Sequence, residues 1–167
     1  MLADPAPAGT HVLVLGVGNP LMSDDGVGQR LLAALAACLP ALDGVEYLDA
    51  GTLGFMLLPR IEQCDALLAL DAASLDAAPG TVRVFEAEAF DAFVRTPRCS
   101  VHELGLRDLL DAARLTGSLP GRRALVGVQP AQLGWGVALS PDVEASLPDA
   151  TAAARRVLEG WLAAACD

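Results

Sequence analysis

The segment Val12–Arg30, VLVLGVGNPLMSDDGVGQR, constrains this chain more than any other. An unbroken apolar run, Val12 to Leu15, stops at Gly16-Val17-Gly18-Asn19-Pro20. The acidic pair Asp24-Asp25 then precedes a helical pattern that starts near Gly26. A strand without polar alternation is covered on both faces, as in a parallel sheet held between helices. In such a sheet the loop after a strand lies at its carboxyl end, where ligands and catalytic groups collect.

The rest of the chain repeats this unit. Gly26 to Leu39 places Val27, Leu31, Leu32, Leu35, Ala36 and Leu39 on one helical stripe that Pro40 ends. Val45–Asp49 reads as a second strand; it stops at Asp49-Ala50-Gly51-Thr52, where Thr52 could cap a helix reaching about Gln63. Ala66–Leu70, between Asp65 and Asp71, has the length and flanks of a third buried strand, although so short an apolar run also suits a helix. Pro79-Gly80 marks a turn. Thr81–Glu86 alternates with period two, and its short connection predicts an antiparallel or edge strand. Ser100 and Glu103 form a capping box that puts His102 in the first turn of a helix carrying Leu104, Leu106, Leu109, Leu110 and Ala113. Arg123–Val128 is the last strand. Ser140-Pro141-Asp142 opens a final helix, expected to break near Pro148, with Val157, Leu158, Trp161 and Leu162 facing the sheet.

Composition narrows the class. A chain of 167 residues fits one domain, expected over 11–167 behind a loose tail at 1–10. Mean hydropathy is +0.44, yet the longest uncharged apolar-looking run, Leu31–Leu42, is too short to cross a bilayer and contains Pro40. A soluble protein without membrane insertion is expected, and the lack of a secretion-signal pattern points to the cytoplasm. Cys38, Cys64, Cys99 and Cys166 are scattered without a CxxC pair and read as buried or incidental thiols. A net charge of −10 argues against a nucleic-acid partner, because such affinity comes mostly from Lys and Arg on phosphates. A basic protein segment or a metal suits it better.

Three kinds of chemistry compete for these residues. A dinucleotide fingerprint needs Gly-x-Gly-x-x-Gly running into a helix, but Leu21 holds the third glycine position, and Asp24 and Asp25 would repel a phosphate. Asp49, ending the second strand, could imitate a ribose-binding acid and keeps a nucleotide-binding enzyme open. Second, Asp25, Asp71 and His102 converge on the switch-point crevice if the first and third strands are adjacent, and two carboxylates with an imidazole suit a borderline divalent metal. Singly, each has a plainer role: Asp25 opposing a helix dipole, Asp71 ending a strand, His102 as a polar first-turn residue. His11, at the start of the first strand, should lie away from the crevice. Third, a nucleophilic hydrolase lacks a Gly-x-Ser-x-Gly elbow, and Cys99 is near His102 only in sequence.

Taken together, Gly16-Val17-Gly18-Asn19-Pro20-Leu21, Asp24-Asp25-Gly26-Val27-Gly28, Asp49-Ala50-Gly51-Thr52, Asp71-Ala72, Val101-His102-Glu103-Leu104-Gly105-Leu106 and Val126-Gly127-Val128-Gln129-Pro130 resemble the maturation endopeptidases of [NiFe] hydrogenases. The resemblance implies a three-layer α/β/α fold with a five-stranded, mostly parallel mixed sheet. It also implies a single cut in the C-terminal extension of the hydrogenase large-subunit precursor, made after nickel insertion. The family's metal-binding positions fall on Asp25, Asp71 and His102, with the nickel carried by the substrate and no organic cofactor. Many relatives have Glu where Asp25 stands, one methylene longer. Asp49, Gly51 and Thr52 are candidates to line the same cleft. A noncatalytic metal-responsive module that binds the precursor without cutting it is the remaining alternative.

Overall fold

The computed structural model describes residues 10–39, 42–51, 54–96 and 101–164, with side chains throughout except at 54–55 and 101–105. The elements follow in order as β1 (Val12–Val17), a 3-10 turn (Ser23–Gly26), α1 (Val27–Cys38), β2 (Val45–Gly51), a second 3-10 turn (Gly54–Leu57), α2 (Leu58–Glu62) and β3 (Ala66–Ala72). β4 (Val82–Glu86), α3 (Ala87–Val94), α4 (Val101–Leu115), β5 (Arg122–Val128) and α5 (Pro141–Ala163) complete the fold.

The five strands lie in the order β2-β1-β3-β5-β4. β1 pairs in parallel with β2 on one side and β3 on the other, and β3 pairs in parallel with β5. β4 is antiparallel to β5 and forms an edge, as its alternating sequence predicts. From β1 the chain leaves to one side for β2 and returns to the other for β3. The strand order therefore reverses at the carboxyl ends of β1 and β3, and a crevice opens there.

Burial explains the apolar runs. Val12 and Val14 face a core shared with α1 and α5, while Leu13 and Leu15 face a second core built with α2, α3 and α4. Side chains alternate across a strand, so a doubly covered strand must be apolar at every position. Leu13, Leu15, Leu67 and Leu68 are completely buried, each contributing about 2 kcal/mol by burial.

Three expectations change. α5 runs unbroken through Pro148. Pro148 lies on the exposed face of the helix, where water can take the carbonyl it leaves without a donor. The helix expected from Thr52 to Gln63 shortens to a 3-10 turn followed by the five-residue α2, with Pro59 in its first turn. Ser140 stands at the N-cap of α5 but makes no side-chain cap bond, because its hydroxyl serves Asp24 instead. α3 has no counterpart in the sequence reading; only Phe90 and Val94 of its eight residues are buried, too few to mark a period. The tail before Thr10, Thr52, the Ser100 half of the capping box, Cys99 and Cys166 lie outside the described residues.

Candidate functional site

The turn after β1 is folded so tightly that only glycine fits at its first corner. Gly18 has φ +123°, and a Cβ there would stand 1.9 Å from the Asp25 carbonyl oxygen. The chain doubles back, and the Asn19 N–H donates to Asp25 Oδ2 at 2.7 Å while Asn19 Oδ1 accepts from the Leu21 N–H at 3.0 Å. Asp25 is 3% exposed. At Gly28 a Cβ would lie 2.1 Å from the Val17 carbonyl and 2.4 Å from that of Leu70. Close helix–strand approach thus seats the start of α1, and the Asp25 turn before it, directly over the ends of β1 and β3.

Asp71 is completely buried and sits one residue from the end of β3 rather than beyond it. It alternates in register with Leu67 and Ala69, which face the core on the α4 side of the sheet. His102 is the second residue of α4. The far end of α4 is fixed at the opposite edge, since Thr116 Oγ1 donates to Glu62 Oε1 at 3.0 Å shortly before β3 begins. A 15-residue helix spans about 22 Å, so the backbone of His102 is carried to the carboxyl edge. Its side chain is outside the described residues, and among those residues no three His, Cys, Asp or Glu side chains form a metal-holding group. His11 is at the other edge, with Nδ1 3.1 Å from the Gln63 carbonyl oxygen, as its position in sequence suggests.

The acidic pair divides its work, which sequence reasoning missed. Asp24 is completely buried and accepts from the Ser140 N–H (2.6 Å), Ser140 hydroxyl (2.8 Å), Ala131 N–H (2.8 Å) and Gln132 N–H (3.0 Å). Burial raises its pKa, but these bonds, led by the Ser140 N–H, outweigh burial and hold the carboxyl below its ordinary value. One carboxylate thereby clamps both ends of the loop that joins β5 to α5. The only sequence signal was an acid beside Asp25 with no partner nearby in the chain.

The clamped loop and the end of β3 enclose a cleft of about 430 Å³ lined by Ala72, Ser74, Gln129, Pro130, Ala131, Gln132 and Leu133. Asp49 and Gly51 lie on β2, across β1 from it; Asp49 Oδ1 accepts from the Gly51 N–H at 2.9 Å and closes the turn leaving the strand. The fingerprint for a dinucleotide fails on geometry as well as sequence. A 3-10 turn intervenes between the glycines and α1, and the Asn19 N–H, which could otherwise face a phosphate, is taken by Asp25.

These features define a doubly wound α/β protein in which two buried carboxylates, Asp25 in the turn after β1 and Asp71 near the end of β3, lie at the carboxyl edge of the sheet. The model of the hydrogenase maturation protease family matches residues 30–157. The chain is 42% identical over 141 residues to the hydrogenase 2 maturation protease of Escherichia coli, covering 84% of this chain and 85% of the relative. It is 38% identical over 160 residues to the hydrogenase expression/formation protein HupD of Rhodobacter capsulatus, covering 94% and 75%. The structure superposes on the hydrogenase maturating endopeptidase HybD of E. coli with a TM-score of 0.85 at 38% identity, covering 90% and 93% of the two chains. With the [NiFe] hydrogenase maturation protease HybD of Thermococcus kodakarensis the TM-score is 0.75 at 28% identity, covering 89% and 99%. This chain belongs to the hydrogenase maturation protease family, and it is an endopeptidase of that kind.

Proposed function

We propose that the protein removes the C-terminal extension of a [NiFe] hydrogenase large-subunit precursor after nickel insertion, using Asp25, Asp71 and His102 to read the nickel that the substrate carries. The observation that carries this reading is the burial of two carboxylates, Asp25 in the turn that follows β1 and Asp71 near the end of the adjacent parallel β3. Carboxylate oxygens and an imidazole are suitable ligands for a borderline divalent ion. A substrate-borne ion held there would polarise the scissile carbonyl or activate a water, which makes a side-chain nucleophile unnecessary. A precursor without nickel lacks one partner of this contact and is left uncut. No organic cofactor enters the reaction.

The precursor matures in the cytoplasm on this reading. Among the described residues no helix is long and apolar enough to cross a membrane. The test is to incubate the protein with nickel-loaded and nickel-free precursor and follow shortening of the large subunit by mass. Only the loaded form should lose its extension; equal cutting of both defeats the nickel-reading role.

A further inference from the structure

The loop between β5 and α5 does more than wall the cleft. At Ala131, Gln132, Gly136 and Ser140 it is hydrogen-bonded to the segment that carries Asp25. Asp24 holds its two ends, the Ser23 N–H donates to the Gly136 carbonyl at 2.7 Å, and the Gly136 N–H donates to the Leu21 carbonyl at 3.0 Å. On this anchored backbone four large apolar side chains face solvent: Leu21 (53% exposed), Leu133 (44%), Trp135 (84%) and Val137 (73%). No charged residue stands between Arg123 and Asp142, in a chain whose net charge is −10.

A monomer gains nothing from holding an exposed Trp in a fixed place, and such a neutral apolar patch marks an interaction site. Continuity with the active edge identifies its occupant. Leu133 belongs both to the patch and to the cleft that opens at Ala72, the last residue of β3, and Asp24, which anchors the loop, immediately precedes Asp25. A second copy of this chain seated on the patch would obstruct that cleft. We propose that Leu21, Leu133, Trp135 and Val137 form a docking platform for an apolar surface of the large-subunit precursor next to its C-terminal extension, with Trp135 as the anchor. The platform rests on the proposed substrate, and it positions the precursor while Asp25, Asp71 and His102 read the metal. Rigid anchoring lets docking energy fix the distance from the bound surface to the cut bond.

The test measures binding and cutting separately, with wild type and Trp135→Ala. Immobilised nickel-free precursor reports docking, and initial rates on nickel-loaded precursor report KM and kcat. Trp135→Ala should weaken binding to nickel-free precursor at least about tenfold, the loss expected of an interface anchor, and raise KM similarly with kcat within about twofold. A Leu133→Ala, Val137→Ala double variant should act in the same direction, and unchanged thermal unfolding verifies the fold of both. A smaller change in binding on Trp135→Ala overturns the platform. So does a wild-type dimer that Trp135→Ala dissociates while precursor binding is unaltered, since the patch would then serve a second copy. If wild type cuts nothing, the proposed activity fails, and the binding measurement still decides the platform.

Discussion

Replacing Asp24 by Asn tests the clamp most directly, because it keeps the shape of the side chain and removes only charge and acceptor capacity. Asp24 Oδ1 accepts from the Ser140 N–H, and Oδ2 accepts from the Ala131 and Gln132 N–H groups and the Ser140 hydroxyl. An amide cannot satisfy this set. In its better orientation it turns NH2 toward the Ser140 N–H, orphaning that buried donor at about 1–3 kcal/mol, and weakens three charge-assisted bonds by about 1 kcal/mol each. Asp24→Asn should therefore lose about 5 kcal/mol at neutral pH, or about 15 °C in Tm for a chain of this length. Urea unfolding of both proteins across pH supplies a second check. The folded-state pKa of Asp24 is depressed below 3.8, so its contribution is fully present above that value and is lost as pH falls through the folded pKa. The stability gap between wild type and variant should be constant from pH 7 to about pH 5 and should close only below pH 3.8, through the folded pKa. A gap under about 1 kcal/mol at pH 7, where four charge-assisted bonds should be intact, refutes the clamp. Closure of the gap already between pH 7 and 5 refutes the direction of the pKa shift.

Other expectations concern the site and its scaffold. Asp71→Asn and His102→Ala should each reduce cleavage of nickel-loaded precursor by about a hundredfold or more, read as shortened large subunit, with far-UV circular dichroism unchanged. Gly28→Ala should destabilise by about 3 kcal/mol or more, because its Cβ would press on the carbonyls of Val17 and Leu70; a thermal shift near zero would contradict the close helix–strand contact. Burial, with the nearby Asp65 charge, pushes the Cys64 thiol up to about 12, whereas Cys38 is exposed. Alkylation of native protein at pH 8.5 should therefore label Cys38 and spare Cys64 until unfolding, as read by peptide mass.

The strands were legible because a doubly covered sheet writes itself as unbroken apolar runs, and β1, β3 and β5 each hold such a run. β4 was legible for the opposite reason: at the sheet edge only Val82 and Phe85 pack, each partly, against the two cores, so polar residues interrupt the strand. The adjacency of β1 and β3, on which the reading of Asp25 and Asp71 rested, is what the strand order shows. The Asp24 clamp was invisible because its partners lie 107–116 residues away, joined through backbone N–H groups that any residue supplies. Pro148 misled because proline's missing N–H and ring clash weaken a helix without always ending it, and on this exposed face water can take the freed carbonyl. Trp135 could be read as a core residue from its type alone; its exposure depends on a loop held outward by bonds from a distant segment.

The strand order has a consequence for synthesis on the ribosome. β4 pairs only with β5, which is made later and lies between β4 and the rest of the sheet. When residues 82–86 emerge they have no strand to join, and they wait until residue 128 has been added. The bond from Ser140 to Asp24 closes later still, 116 residues after its acceptor was made. A nascent chain already holding Asp25 and Asp71 thus lacks β5 and the loop beyond it, whose residues Gln129 to Leu133 line the cleft. The cleft and the clamp that shapes it are therefore completed only in the last quarter of the chain, after every residue proposed to read the metal has been made.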